Sequence, residues 1–145
     1  AYLDHVARKT LEGTALEIMA NSDNVLRGGL TPKHVDVPEL LATLVFEGRG
    51  PEVLKPTEAS PGERVYRTPA HEFELALLDV LPDRPFAPRP GRSVEILLGL
   101  AGATRLLAGG QEAPLGPGRS VLVPATVDTY AIEGRGRVCR AGVPG

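Results

Sequence analysis

Cysteine is almost missing from this sequence: among 145 residues only Cys139 carries a thiol. A single thiol excludes an intramolecular disulfide and any zinc cluster built on cysteines, and it suits a reducing compartment. Tryptophan is absent altogether, which removes a Trp stacking platform for single-stranded nucleic acid. No apolar run approaches the roughly 20 residues that a membrane-spanning helix needs, and no signal-peptide pattern opens the chain. Charge of one sign is not in excess either. The 16 Lys+Arg stand against 18 Asp+Glu, a formal net charge of −2, so the whole chain makes no electrostatic case for nucleic acid or an acidic membrane. These absences predict a soluble, cytoplasmic protein with neither nucleic acid nor membrane as partner.

What is present narrows the class. Hydrophobic residues make up 42%, enough to build a core and inconsistent with global disorder. The 17 Gly and 14 Pro punctuate the backbone so often that long helices are not expected. Of the bases, 13 are Arg and three are Lys; with abundant Ala, Gly and Pro this reads as a GC-rich coding bias, so scattered arginines carry little functional weight. Charge is uneven, a net −5 over residues 1–81 (8 bases, 13 acids) against +3 over 82–145 (8 bases, 5 acids); a basic C-terminal half is compatible with an anionic partner, but the same coding bias is the simpler explanation.

Along the chain, Leu3, Val6, Ala7 and Leu11 outline a short helix ended by Gly13. Thr14–Ala20 reads as a strand with Glu17 on its polar face. Asn21-Ser22-Asp23-Asn24 is a turn cluster, in which Asp23 and Asn24 hold the backbone rather than a ligand. After Arg27-Gly28-Gly29, a helix is expected over Val37–Phe46. Asp36 would cap it, Glu39 would complete a capping box, Pro38 sits in its first turn, and Val37, Leu40, Leu41, Leu44 and Val45 form a stripe that would pack against a barrel. Residues 49–63, rich in Gly, Pro and charge, read as a linker between a first segment, 1–48, and a domain over 64–145. In that domain Phe73–Val80, Val94–Leu100, Thr104–Ala108, Ser120–Val123, Thr129–Ile132 and Val138–Ala141 are short apolar runs at turn spacing, with Gly109-Gly110 as a hairpin turn. The expected class is mainly all-β, an antiparallel barrel or sandwich with a few short helices.

The segment from Leu16 to Val37, LEIMANSDNVLRGGLTPKHVDV, is the distinctive one. It resembles the signature of type I mannose-6-phosphate isomerases, which run E-[IL]-M-A-x-S-D-N-V-[LV]-R-x-G-[LF]-T-P-K in that order. Ser93–Leu100, Leu115–Gly118, Val121–Pro124 and Arg140–Pro144 are similar to the C-terminal cupin of that family. The resemblance covers nearly the whole chain from Gly13, but only about the C-terminal third of such an enzyme. It implies a cupin-type jelly-roll barrel over 64–145, preceded by a remnant of the catalytic cupin over 1–48. It also implies a zinc-dependent aldose–ketose isomerase that interconverts mannose 6-phosphate and fructose 6-phosphate through an enediol, with a phosphorylated hexose as its partner. Residue by residue, Glu17, Arg27 and Lys33 match acidic and basic active-site positions of the family. The residues alone also allow plain surface roles for these three side chains.

The metal part of the resemblance departs from the family. There zinc is held by Gln, His and Glu from an earlier part of the chain and by a His before Ala-Tyr-Leu. Here Ala1-Tyr2-Leu3 opens the sequence, and alignment on Gly13 instead puts Arg8 at the His position. His5, His34 and His71 lack the spacing of a zinc triad. In the second cupin, Gly118 and Pro124 meet the pattern, but Thr126 and Thr129 stand where its Gly and His would be. That domain is expected to be metal-free, and the chain is expected to be inactive alone. The alternative reading is a non-catalytic, stand-alone cupin serving as a sugar-binding or interaction module.

Overall fold

A computed structural model of the protein describes residues 15–21, 26–48, 50 and 53–144. The chain divides into two compact units, Ala1–Val53 and Leu54–Gly145. The short helix read over Leu3–Leu11, His5 and the Asp23-Asn24 turn lie outside the described residues.

Among the described residues of the first unit one helix forms, α1 (Val37–Thr43). Its start is the expected one: the Asp36 carboxylate accepts from the Glu39 backbone N–H at 3.0 Å, satisfying a donor that the first turn leaves open. Its end comes three residues earlier than expected. Leu44 leaves the helical region at φ −70°, ψ 131° while its N–H still donates to the Leu40 carbonyl. None of its residues is buried, and Val37 and Leu41 are 52% and 53% exposed. The apolar stripe of this helix therefore lies open to solvent in this chain. Residues 15–20 form no strand. A strand needs a neighbour to take its backbone hydrogen bonds, and among the described residues none pairs with this segment.

The second unit is a seven-stranded antiparallel sheet. Its strands are β1 (Thr57–Ser60), β2 (Glu63–Tyr66), β3 (Glu74–Val80), β4 (Glu95–Ala108), β5 (Gln111–Pro114), β6 (Ser120–Val123) and β7 (Ala131–Gly142). They run in the order β1-β2-β3-β7-β4-β5, with β6 also against β4. The all-β, cupin-type class expected from the sequence holds. Two details differ. Thr57–Ser60 pairs with Glu63–Tyr66 as a hairpin, so strand structure reaches back into the segment read as a linker. And the pairs of short runs around 94–108 and 129–141 are each one long strand.

The cause of the second difference lies in glycine. Gly102 pairs with Gly136 across β4 and β7. A Cβ at Gly102 would strike the Arg135 carbonyl, and one at Gly136 would strike that of Ala101. Residues that look like chain breaks are instead where two long strands come closest. By contrast Gly109 and Gly110, both at positive φ (57° and 78°), make the expected β4–β5 turn, closing on Ala108 and Gln111.

The strands alternate buried and outward residues. The core is built from Leu78 and Val80 of β3, Leu97 and Leu106 of β4, Leu115, Val123 of β6, Tyr130, and Ile132 and Val138 of β7. At one end of the same buried rows the pattern continues with charge. Glu63 precedes Val65, Glu74 precedes Ala76, Glu95 precedes Leu97 and Arg140 follows Val138, each by two residues.

Candidate functional site

The three residues singled out by the resemblance all belong to the first unit. Glu17 is exposed in an irregular stretch, and Arg27 is half-buried just before the exposed Gly28 and Gly29. Lys33 is exposed, and its backbone N–H donates to Thr31 Oγ1 at 3.2 Å. Between Arg27 and Lys33 the chain turns sharply, with Gly29 at φ 131° and Leu30 at φ 53°. Leu30 is an apolar side chain in the left-handed region, a backbone state that costs free energy and is found most often in functional loops. Among the described residues no hydrogen bond or ion pair joins Glu17, Arg27 and Lys33 to one another. They share a segment rather than a closed network.

The closed network is in the second unit, and sequence reasoning missed it. Arg140 reaches three carboxylates: its Nη1 donates to Glu95 Oε1 at 2.9 Å, and its Nη2 to Glu63 Oε1 at 2.8 Å and Glu74 Oε1 at 3.1 Å. The neighbouring hydroxyls complete the arrangement, Ser60 Oγ donating to Glu63 at 2.8 Å and Tyr130 OH to Glu95 at 2.9 Å. Arg92 approaches Glu95 at 3.4 Å and lies 5.1 Å from the centre of the Tyr130 ring. Its Nη1 also donates to the backbone carbonyl of Ser93, and its Nη2 to those of Pro124 and Val127. Burial opposes charge on Arg140, but the hydrogen bond and attraction of Glu95, with the charges of Glu63 and Glu74, outweigh it and hold the guanidinium above its ordinary value. Burial, then the Glu95 charge, drives the Tyr130 phenol far above its usual range, so it remains a donor. The signal for this cluster is in the sequence as charges at core-phase positions of four strands, but only the register shows that they meet.

Among the described residues no group of three or more His, Cys, Asp or Glu side chains is placed to hold a metal ion. The three carboxylates that do converge enclose a guanidinium. His34 and His71 are both exposed, with no ligand set around them.

The second unit is thus an antiparallel β domain of the cupin class, with a polar cluster at one end of its core. Residues 83–143 match the family described as mannose-6-phosphate isomerase, cupin domain. Over 131 residues the chain is 37% identical to mannose-6-phosphate isomerase of Escherichia coli, covering 90% of this chain and 33% of that protein. It is 35% identical over 138 residues to mannose-6-phosphate isomerase 2 of Arabidopsis thaliana, covering 92% and 31%. The Salmonella typhimurium mannose 6-phosphate isomerase, solved bound to its substrate fructose 6-phosphate and to zinc, superposes with a TM-score of 0.75 at 34% identity, over 88% of this chain and 32% of that one. The chain spans about a third of the length of the curated relatives it matches.

Proposed function

We propose that this chain is part of an aldose–ketose isomerase that interconverts mannose 6-phosphate and fructose 6-phosphate. The observation that carries the reading is the 37% identity to the Escherichia coli enzyme over 90% of the chain, a stretch long enough to include the Glu17–Lys33 segment. In the forward direction a base takes the proton from C2 of the aldose. The C–H electron pair becomes the C1–C2 double bond, and the C1 carbonyl oxygen takes up negative charge and then a proton. Return of a proton to C1, with loss of the C2 hydroxyl proton, gives the ketose. Glu17 offers a carboxylate for proton transfer. Arg27 and Lys33 offer cations for the phosphate or the enediolate, and the guanidinium of Arg27 suits a planar, two-oxygen contact.

Zinc is bound to the Salmonella relative, but the described residues of this chain do not form a site for it. The test is a chimera in which this chain replaces the matched third of the Escherichia coli protein. Turnover of mannose 6-phosphate is expected from the chimera and not from the 145-residue chain by itself. A folded chimera that binds fructose 6-phosphate but does not turn it over would reject the reading.

A further inference from the structure

The Arg140 cluster does more than fill the end of the core, because it borders a cavity of about 320 Å³ lined by Glu63, Glu74, Glu95, Arg92, Arg140, Arg67 and Arg89. That volume lies at the lower end of the range for small-molecule sites. Its charges are sorted by depth. The side chains of Glu63, Glu95 and Arg92 are 6%, 2% and 6% exposed and that of Arg140 is 15% exposed, whereas Arg67 and Arg89 are 63% and 65% exposed. With Glu74, the floor therefore holds three carboxylates and two guanidiniums, a net −1, and the rim holds two guanidiniums, a net +2.

The floor is also rich in unused acceptors. Three carboxylates offer about twelve lone-pair positions, and they accept six hydrogen bonds from Ser60, Tyr130, Arg67 and Arg140. On the donor side, the Nε atoms of Arg92 and Arg140 are buried without a partner. A bare anion is disfavoured at this floor by the carboxylates, and a cation is disfavoured at the rim by the arginines. A hydroxyl-rich body suits the floor, since each hydroxyl both donates to a carboxylate and accepts from a guanidinium, and a single anionic end suits the rim.

We infer that this cavity, lined by residues of the second unit, is a binding site for a phosphorylated polyol of sugar size, independent of the isomerase reading. The experiment is calorimetric titration of the 145-residue chain with fructose 6-phosphate, fructose and inorganic phosphate in turn. Expected is one-to-one binding of fructose 6-phosphate with a Kd at or below about 1 mM, with each partial ligand weaker by about tenfold or more. The rim variants Arg67→Ala and Arg89→Ala, at positions 63% and 65% exposed, should each weaken binding about tenfold, with a melt taken for each variant to show that it stays folded. Phosphate binding as tightly as the sugar phosphate would overturn the polyol assignment. Absence of binding up to about 10 mM, or binding that survives both rim variants and is lost in Arg27→Ala, would overturn the site.

Discussion

Arg140 and Glu95 meet at 2.9 Å from neighbouring strands, with side chains only 15% and 2% exposed. Such a pair is expensive to assemble, because both ions leave water, and far more expensive to break, because the survivor stays buried and unpaired. Arg140→Met would take the shared guanidinium away from three carboxylates at once, leaving them only their longer contacts to Arg92, Arg89 and Arg67.

The first prediction follows from that asymmetry. In urea melts Arg140→Met should lower stability by about 3–5 kcal/mol. Arg105 provides the contrast: it bridges Glu112 and Glu133 with a side chain 51% exposed. Water and salt screen such a pair, so Arg105→Ala should melt close to the parent. Equal losses for the two would show that the buried cluster contributes no more than a surface pair.

Gly102 carries the second prediction. Its φ of 79° is a region that side chains rarely adopt, and the carbonyl of Arg135 occupies the space of a Cβ. Gly102→Ala must therefore strain the backbone and push β4 from β7. A loss of about 1–3 kcal/mol is expected in the same melts, and a neutral result would mean that the crossing is looser than the register Gly102–Gly136 implies.

A third prediction concerns acid. Burial raises the Asp79 pKa, but the hydrogen bond and charge of Arg137, with those of Arg64, outweigh it and hold the group below its ordinary 3.8. A depressed carboxylate adds stability that is present above its unfolded pKa and lost as pH falls through the folded one. Stability should thus drop below about pH 4, and Asp79→Asn should be less stable than the parent at pH 7 yet converge with it in acid. Parallel pH curves for the two proteins would exclude this linkage.

Cys139 gives an alkaline counterpart. Burial pushes its thiol up to about 11 from 9.0, and the residue is 3% exposed. Because the thiolate is the reactive form, a thiol reagent at pH 8 should modify Cys139 only as fast as the domain opens. In the unfolded chain the thiol ionises from about pH 9, so stability should fall as pH rises toward 11. Rapid labelling of the folded protein would contradict both statements.

How far the sequence reaches can be judged from particular residues. Asp36 and Glu39 mark the helix start correctly because capping is local chemistry, and Gly109-Gly110 marks its hairpin for the same reason. Gly102, Gly134 and Gly136 mislead, since a glycine that permits strand crossing has the same letter as one that breaks a strand. Glu63 reads as part of a linker, although its carboxylate closes on Arg140 across 77 positions of sequence. Long-range register, not propensity, decides that contact. The Glu17–Lys33 segment is legible only as a motif, because nothing in its local pattern distinguishes a site from a polar loop.

The last prediction tests that motif through Arg27, which stands where the chain approaches its Gly28-Gly29 turn. In the chimera carrying this chain, Arg27→Ala should lower kcat far more than it raises KM. A guanidinium aimed at developing negative charge binds the enediolate more strongly than the neutral carbonyl, and only such differential binding speeds the chemical step. Removing one electrostatic donor of this kind typically costs about 10²–10³ in rate. Arg27→Lys should recover only part of it, because an ammonium cannot reproduce the planar two-donor contact. Steady-state kinetics with mannose 6-phosphate separates the cases. A rise in KM with kcat unchanged would assign Arg27 to holding the phosphate in the ground state, and unchanged kinetics in both variants would remove it from the site.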